Sequence, residues 1–192
     1  IGDDSSAIIA ADKSGNIKSG EIEIIYDEQW LREKTNSHLS KSNVLVLSYD
    51  IAQTPYRMAL LKGYIDEFRN YNIIIVPNKV PDKMKYILNK NLVSIAYFNG
   101  DNKGLIKSSS TKREGFITLE DIFVELLSIN GEESPLAIGN RIHIVDEDNN
   151  IEQAKNLFKK TINLIWITSI FHGIVYFIQA YSAYQIYRHK RE

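Results

Sequence analysis

Residues 161–187 read TINLIWITSIFHGIVYFIQAYSAYQIY, 27 positions without a single Lys, Arg, Asp or Glu. An α-helix rises about 1.5 Å per residue, so a bilayer core of about 30 Å needs roughly 20 mostly apolar residues. The run is long enough, and Arg188, Lys190 and Arg191 end it abruptly. Trp166 sits near its start and Tyr181, Tyr184 and Tyr187 near its end, where amphipathic rings favour the membrane–water boundaries. The spacing therefore predicts one C-terminal transmembrane helix. A long buried helix, or an amphipathic one packed on partner helices, is the competing reading. Asn163, Thr168, Ser169, His172, Gln179, Ser182 and Gln185 make the run only moderately apolar and predict a face turned to additional transmembrane helices. His172 is expected to be neutral and hydrogen-bonded to a neighbouring helix, the alternative being a functional intramembrane group.

Outward from this run, residues 1–148 are enough for one domain with its own core, typical sizes being about 100–150 residues. A formal net charge of −1, and no basic stripe with interleaved aromatics, argue against a nucleic-acid partner. Cysteine is absent, which removes disulfides, thiol nucleophiles and Cys-based zinc sites. The chain opens on Ile1, and the expectation is a processed or excised piece of a longer protein.

Helices and strands alternate along the domain. A short apolar run at 7–11 leads into a turn at 12–16, and EIEIIY at 21–26 alternates as a half-buried or edge strand does. Asp27 caps a helix through about Leu39, with Trp30, Leu31, His38 and Leu39 on its apolar side. VLVLSY, residues 44–49, is a continuous run of the kind buried on both faces of a parallel sheet. Thr54 and Pro55 start a second helix with Met58, Leu60, Leu61, Tyr64, Ile65 and Phe68 as its stripe. Residues 73–76 form a strand that Pro77 ends, 81–88 a short helix, and 92–98 a third strand closing into the NGDNKG turn. A helix from Thr118 with Asp121 three residues on carries Ile122, Phe123, Leu126 and Leu127 as its buried stripe and stops at Gly131. A last strand at 138–145 carries His143. The acidic segment at 146–150 is then a polar hinge, leading into a juxtamembrane stretch at 149–160 where a helix starts. This order predicts an α/β domain with right-handed βαβ units and a mostly parallel sheet.

Chemistry is sparse. No phosphate-binding loop, dinucleotide fingerprint, His-Glu-x-x-His or Gly-x-Ser-x-Gly pattern occurs. His38, His143, His172 and His189 lack metal-ligand spacing, and Asp146, Glu147 and Asp148 lack the spaced oxygen pattern of a calcium loop. Asp50 is the candidate catalytic carboxylate, because it follows an expected buried strand at the edge where open α/β sheets hold ligands. Turn chemistry is the ordinary alternative for an Asp there.

SSSTKREGFITLEDI at 108–122, with Leu126, Leu127 and a later Ile138-Gly139-Asn140, resembles the C-terminal part of the alkaline phosphatase superfamily. This group includes sulfatases, phosphodiesterases and phosphoglycerate mutases. The nearer likeness is to bacterial envelope proteins that carry such a domain outside the membrane, followed by membrane helices. The resemblance covers about residues 44–140 and implies a three-layer α/β/α fold. In the family, an Asp-His ligand pair ends a buried strand. Here Pro77 and Asn78 stand there, and neither replaces the pair. The family's nucleophile segment has no counterpart in this chain. The resemblance therefore implies no catalytic residue, no cofactor and no bound metal.

The resulting expectation is an extracytoplasmic domain over 1–148, held in a bacterial cytoplasmic membrane by 161–187, with the basic end at 188–192 inside. It binds or scaffolds at the cell envelope. A divergent, divalent-metal-dependent phosphoryl- or sulfuryl-ester hydrolase or transferase with its nucleophile upstream is the alternative. Lys155, Lys159 and Lys160 before the run tie in number with the three cations after it, so orientation leans only on the denser C-terminal cluster.

Overall fold

The structure, a computed structural model, describes residues 9, 11, 14–17, 19–52, 54–78 and 92–190. They form α1 (Glu28–Leu39), α2 (Pro55–Glu67), β1 (Ile73–Ile75), β2 (Ala96–Phe98), β3 (Gly104–Lys107), α3 (Leu119–Ile129), β4 (His143–Asp146) and α4 (Asn150–His189). Two compact units divide the chain. One takes Ile1–Val80, Val93–Asn102 and Leu126–Ser134, and the other Pro81–Leu92, Lys103–Glu125 and Pro135–Glu192.

In the first unit, local capping starts both helices where the sequence places them. The Asp27 carboxylate accepts from the Trp30 N–H at 2.9 Å, and the Thr54 side chain accepts from the Arg57 N–H ahead of Pro55. The helices meet through Leu31, Thr35 and Phe68, all buried. Thr35 Oγ1 and Tyr64 OH lie 2.8 Å apart, which satisfies a hydroxyl that its buried position would otherwise strand. Arg32 pairs with Glu67 across the same seam. Phe68, rather than Met58, anchors the stripe of α2: it is 6% exposed and Met58 50%.

The sheets differ from expectation. β1 pairs antiparallel with β2, Ile74 opposite Tyr97, and in the second unit β3 pairs antiparallel with β4, Leu105 opposite Val145. Both sheets have two strands, so the mostly parallel three-layer sheet is replaced by small antiparallel ribbons. Residues 21–26 and 44–49 join no ladder among the described residues, although Leu45, Val46 and Leu47 are half-buried. Apolar periodicity reports burial, and burial by loop packing reads the same as burial in a ladder. The strand β3 lies outside the expected elements, since it starts on the last residue of the NGDNKG turn and runs for only four residues. The helix expected at 81–88, and most of the apolar run at 7–11, lie outside the described residues.

Helix α3 shows a second correction. Its buried side chains are Asp121 and Glu125, whereas Phe123 is 53% exposed; Ile122, Leu126 and Leu127 are half-buried. Gly131, at φ +72°, stops the helix as expected, and the Glu132 N–H bonds the Leu127 carbonyl at 2.9 Å.

Helix α4 runs for 40 residues. Only residues 147–149 separate it from β4, so the acidic segment is the end of a strand plus a tight turn. Asn150 Nδ2 bonds the Gly104 carbonyl at 3.3 Å, which fixes the helix start on β3. Gly104 itself is needed for closeness. A Cβ there would overlap the Val145 carbonyl oxygen and lie 2.7 Å from its carbon. Gly104→Val is therefore expected to destabilise the second unit by about 2 kcal/mol or more. Thermal unfolding of the full chain in detergent, followed by circular dichroism, checks this, and an unchanged midpoint would refute it.

Candidate functional site

Asp121 is the most constrained ionisable group among the described residues, with 0% exposure. The capping pattern beginning at Thr118 puts it in the first turn of α3, and the Thr118 N–H donates to its Oδ2 at 2.7 Å. Ser108 Oγ, itself 1% exposed, donates to the same oxygen at 2.6 Å. Oδ1 accepts from Ser110 Oγ at 2.5 Å and from the Asn140 N–H at 2.8 Å. Asn140 closes the ring by donating from Nδ2 to Ser110 Oγ at 2.9 Å. One turn on, Glu125 is 3% exposed and accepts the Ile142 N–H at 3.0 Å.

The spacing explains the pair. Residues i and i+4 of a helix lie about 6 Å apart along its axis, close to the roughly 6.8 Å between residues i and i+2 of an extended chain. Asp121 and Glu125 thus present two acceptors at the pitch of the N–H groups of Asn140 and Ile142. The helix face acts as a partner strand for the segment leading into β4. Gly139 permits the approach: its φ is +126°, and a Cβ there would lie 2.7 Å from the Glu120 carbonyl oxygen and 3.0 Å from the Asp121 nitrogen.

The electrostatics follow from the donors. Burial by itself would raise the Asp121 pKa. The hydroxyls of Ser108 and Ser110, with the N–H groups of Thr118 and Asn140, outweigh it and hold the carboxyl at about 2. Four donors also occupy the roughly four lone-pair positions of a carboxylate. Asp121 has no acceptor capacity left for a metal or substrate. The Ser108 hydroxyl is sealed from solvent, and Ser110 has no imidazole beside it to take its proton. The cluster is a structural hub.

Asp50, the carboxylate singled out from sequence, lies elsewhere and does something different. Its side chain is 73% exposed and pairs with Arg57 at 3.1 Å. Its Oδ1 accepts the Ala52 N–H at 2.9 Å, bracing a turn in which Ala52 adopts φ +46°. Arg57 stacks 3.6 Å from the Tyr26 ring centre, and Tyr26 meets Tyr49 edge-on at 5.1 Å. This is a cation–aromatic clasp around a turn. Among the described residues, no three His, Asp or Glu side chains converge on a point that could hold a metal ion.

On α4, His172 Nδ1 lies 2.8 Å from the Thr168 carbonyl oxygen of its own helix. That contact requires the proton on Nδ1, because the carbonyl only accepts. Ser169 donates to the Ile165 carbonyl at 2.9 Å and Thr161 to the Leu157 carbonyl at 2.9 Å. Gln185 reaches Tyr181 OH at 2.8 Å. These polar groups find partners one turn away, so an apolar environment costs the helix less than its composition suggests.

No family model, curated protein or solved structure matches the chain.

The hub makes a signed prediction. A carboxyl whose pKa falls from 3.8 to about 2 on folding contributes about 2 kcal/mol, at roughly 1.36 kcal/mol per unit. That stability is fully present above pH ~4 and is lost as pH falls through ~2. In Asp121→Asn, either amide orientation sets an NH₂ against a backbone donor, Thr118 or Asn140, that cannot turn away. Denaturation of the full chain at neutral pH is expected to show a loss of about 2–4 kcal/mol. The variant should also show a shallower stability decline between pH ~4 and ~2. Parallel acid profiles for the two proteins would refute the assignment.

Proposed function

We propose that the chain is a membrane-attached envelope module: a domain of helices and small antiparallel sheets outside the bacterial cytoplasmic membrane, related to the C-terminal part of alkaline-phosphatase-like proteins, that binds or scaffolds in preference to hydrolysing esters. The observation that carries this reading is α4. It is long and apolar enough to cross a membrane. Its apolar side chains have no cover: Ile167 is 64% exposed, Phe171 62% and Phe177 74%. Such a surface in water is a liability, and in lipid it is the normal state.

The family relation rests on the sequence pattern alone, and the hub shows what that pattern does in this chain. The positions that carry the sequence resemblance (Ser108, Ser110, Thr118, Asp121, Gly139 and Asn140) converge on one carboxylate. The convergence gives the pattern a reason to be kept together that involves no catalysis. Asp50, spent on Arg57 and a turn, favours a binding role over the hydrolase alternative.

The full chain is expected to remain in membranes after alkaline carbonate washing, and a chain lacking residues 161–187 to be released. Residues 1–150 should be protected from protease in closed inside-out vesicles. Extraction of the full chain would overturn the membrane reading; digestion from the cytoplasmic side would reverse the orientation. Stoichiometric zinc or manganese in the purified protein, with ester turnover abolished by Asp50→Ala, would establish the enzyme instead.

A further inference from the structure

Where α4 enters its uncharged run, the second unit forms a cleft of about 390 Å³. Lys107, Lys112, Arg113 and Lys160 line it, with Glu114 as its single carboxylate. Glu114 is engaged with Lys107 at 3.1 Å. Lys112, Arg113 and Lys160 have no side-chain hydrogen bond or ion pair among the described residues, so the cleft carries three uncompensated positive charges. Its remaining wall is Phe116 with Leu157, Thr161 and Leu164 of the helix, apolar but for the Thr161 hydroxyl, which donates to the Leu157 carbonyl.

The loop that brings these cations to the helix is built to hold its place. The Gly115 N–H bonds the Ile106 carbonyl at 2.7 Å, and Thr111 Oγ1 donates to the Phe116 carbonyl at 2.7 Å. Lys112 takes φ +55°, unusual for a side chain with a Cβ, and Gly115 takes φ +79°. Gly115 lies so close to α4 that a Cβ would come within 2.6 Å of Leu157 Cδ1. Like charges on adjacent residues, set over an apolar wall by a strained loop, imply an anion of mixed character.

We propose that this cleft binds the phosphate headgroup of an anionic phospholipid, with its acyl chains running along α4 from Leu164. The proposal rests on the reading of α4 as a membrane helix and deepens it. Lys160 is the last charged residue before the uncharged run, and Leu164 lies one turn inside it. The cleft thus spans the level at which a lipid changes from phosphate to hydrocarbon. Lys112, Arg113 and Lys160 supply the charge-assisted hydrogen bonds, with Arg113 able to grip two phosphate oxygens at once. A free phosphate would use the same cations and leave the apolar wall unused.

Native mass spectrometry of the full chain, released from micelles doped equally with phosphatidylglycerol and phosphatidylcholine, tests this. Wild-type protein is expected to retain phosphatidylglycerol about tenfold over phosphatidylcholine. The double variant Lys112→Glu/Arg113→Glu should bring the two to parity, with its circular dichroism spectrum unchanged. Lys155→Glu, outside the cleft, should keep the preference. Equal retention by wild type, or a preference surviving the double variant, would overturn the proposal. Displacement of the lipid by millimolar inorganic phosphate would identify a free-anion site and overturn the lipid assignment. Carbonate extraction in parallel separates the levels. A chain that stays in the membrane yet shows parity refutes the cleft alone, and a chain that extracts refutes the membrane reading and the cleft with it.

Discussion

Two carboxylates on one face of α3 hold the second unit together. Asp121 and Glu125 accept the N–H groups of Asn140 and Ile142, and Asp121 also gathers Ser108, Ser110 and Thr118. Removing any neutral donor costs one hydrogen bond, whereas removing the carboxylate strands four at once. The segment they hold feeds straight into β4, and β4 pairs with β3 and runs by a tight turn into α4. The position of the long helix relative to the loop at 111–116 therefore descends from the hub. So does the basic cleft, because β3 leads into Ser108 at one end of the loop and Thr118 closes the other.

The arrangement separates two roles that polar residues play here. In the hub, polar groups are buried and saturated, and they specify geometry. Lys112 and Arg113 sit on a loop held by backbone hydrogen bonds and glycine-permitted closeness, and their side chains keep capacity for a ligand. Saturation marks structure, and an unspent cluster marks recognition. Asp50 belongs to neither class: its side chain is exposed, and its bonds to Arg57 and the Ala52 N–H brace a turn.

Long α4 carries both consequences. Its polar residues bond back to their own helix at His172, Ser169 and Thr161, so partner helices are not required to satisfy them. Its apolar residues remain exposed for lipid or for other helices. The three-residue turn between β4 and α4 leaves the start of the helix little freedom relative to the β3–β4 ribbon.

What could be read from the chain alone was whatever depends on near neighbours. Asp27 capping Trp30, Thr54 before Pro55, Thr118 with Asp121, and Gly131 ending α3 each involve residues a few positions apart, and all stand as expected. The uncharged run at 161–187 is legible for the same reason, since length and composition are properties of one segment. Strand direction was not legible, because burial periodicity is blind to which partner supplies the ladder and whether it runs parallel. The acidic inner face of α3 was hidden too. A carboxylate is normally expelled from a core, and three of the four donors that reverse the balance for Asp121 lie 13, 11 and 19 residues away. Sequence determined where helices begin and which segment is apolar enough for a membrane. Only tertiary structure decided that an Asp and a Glu would be buried and that three cations would gather where the charge on α4 ends, because both depend on groups that meet only when the chain folds.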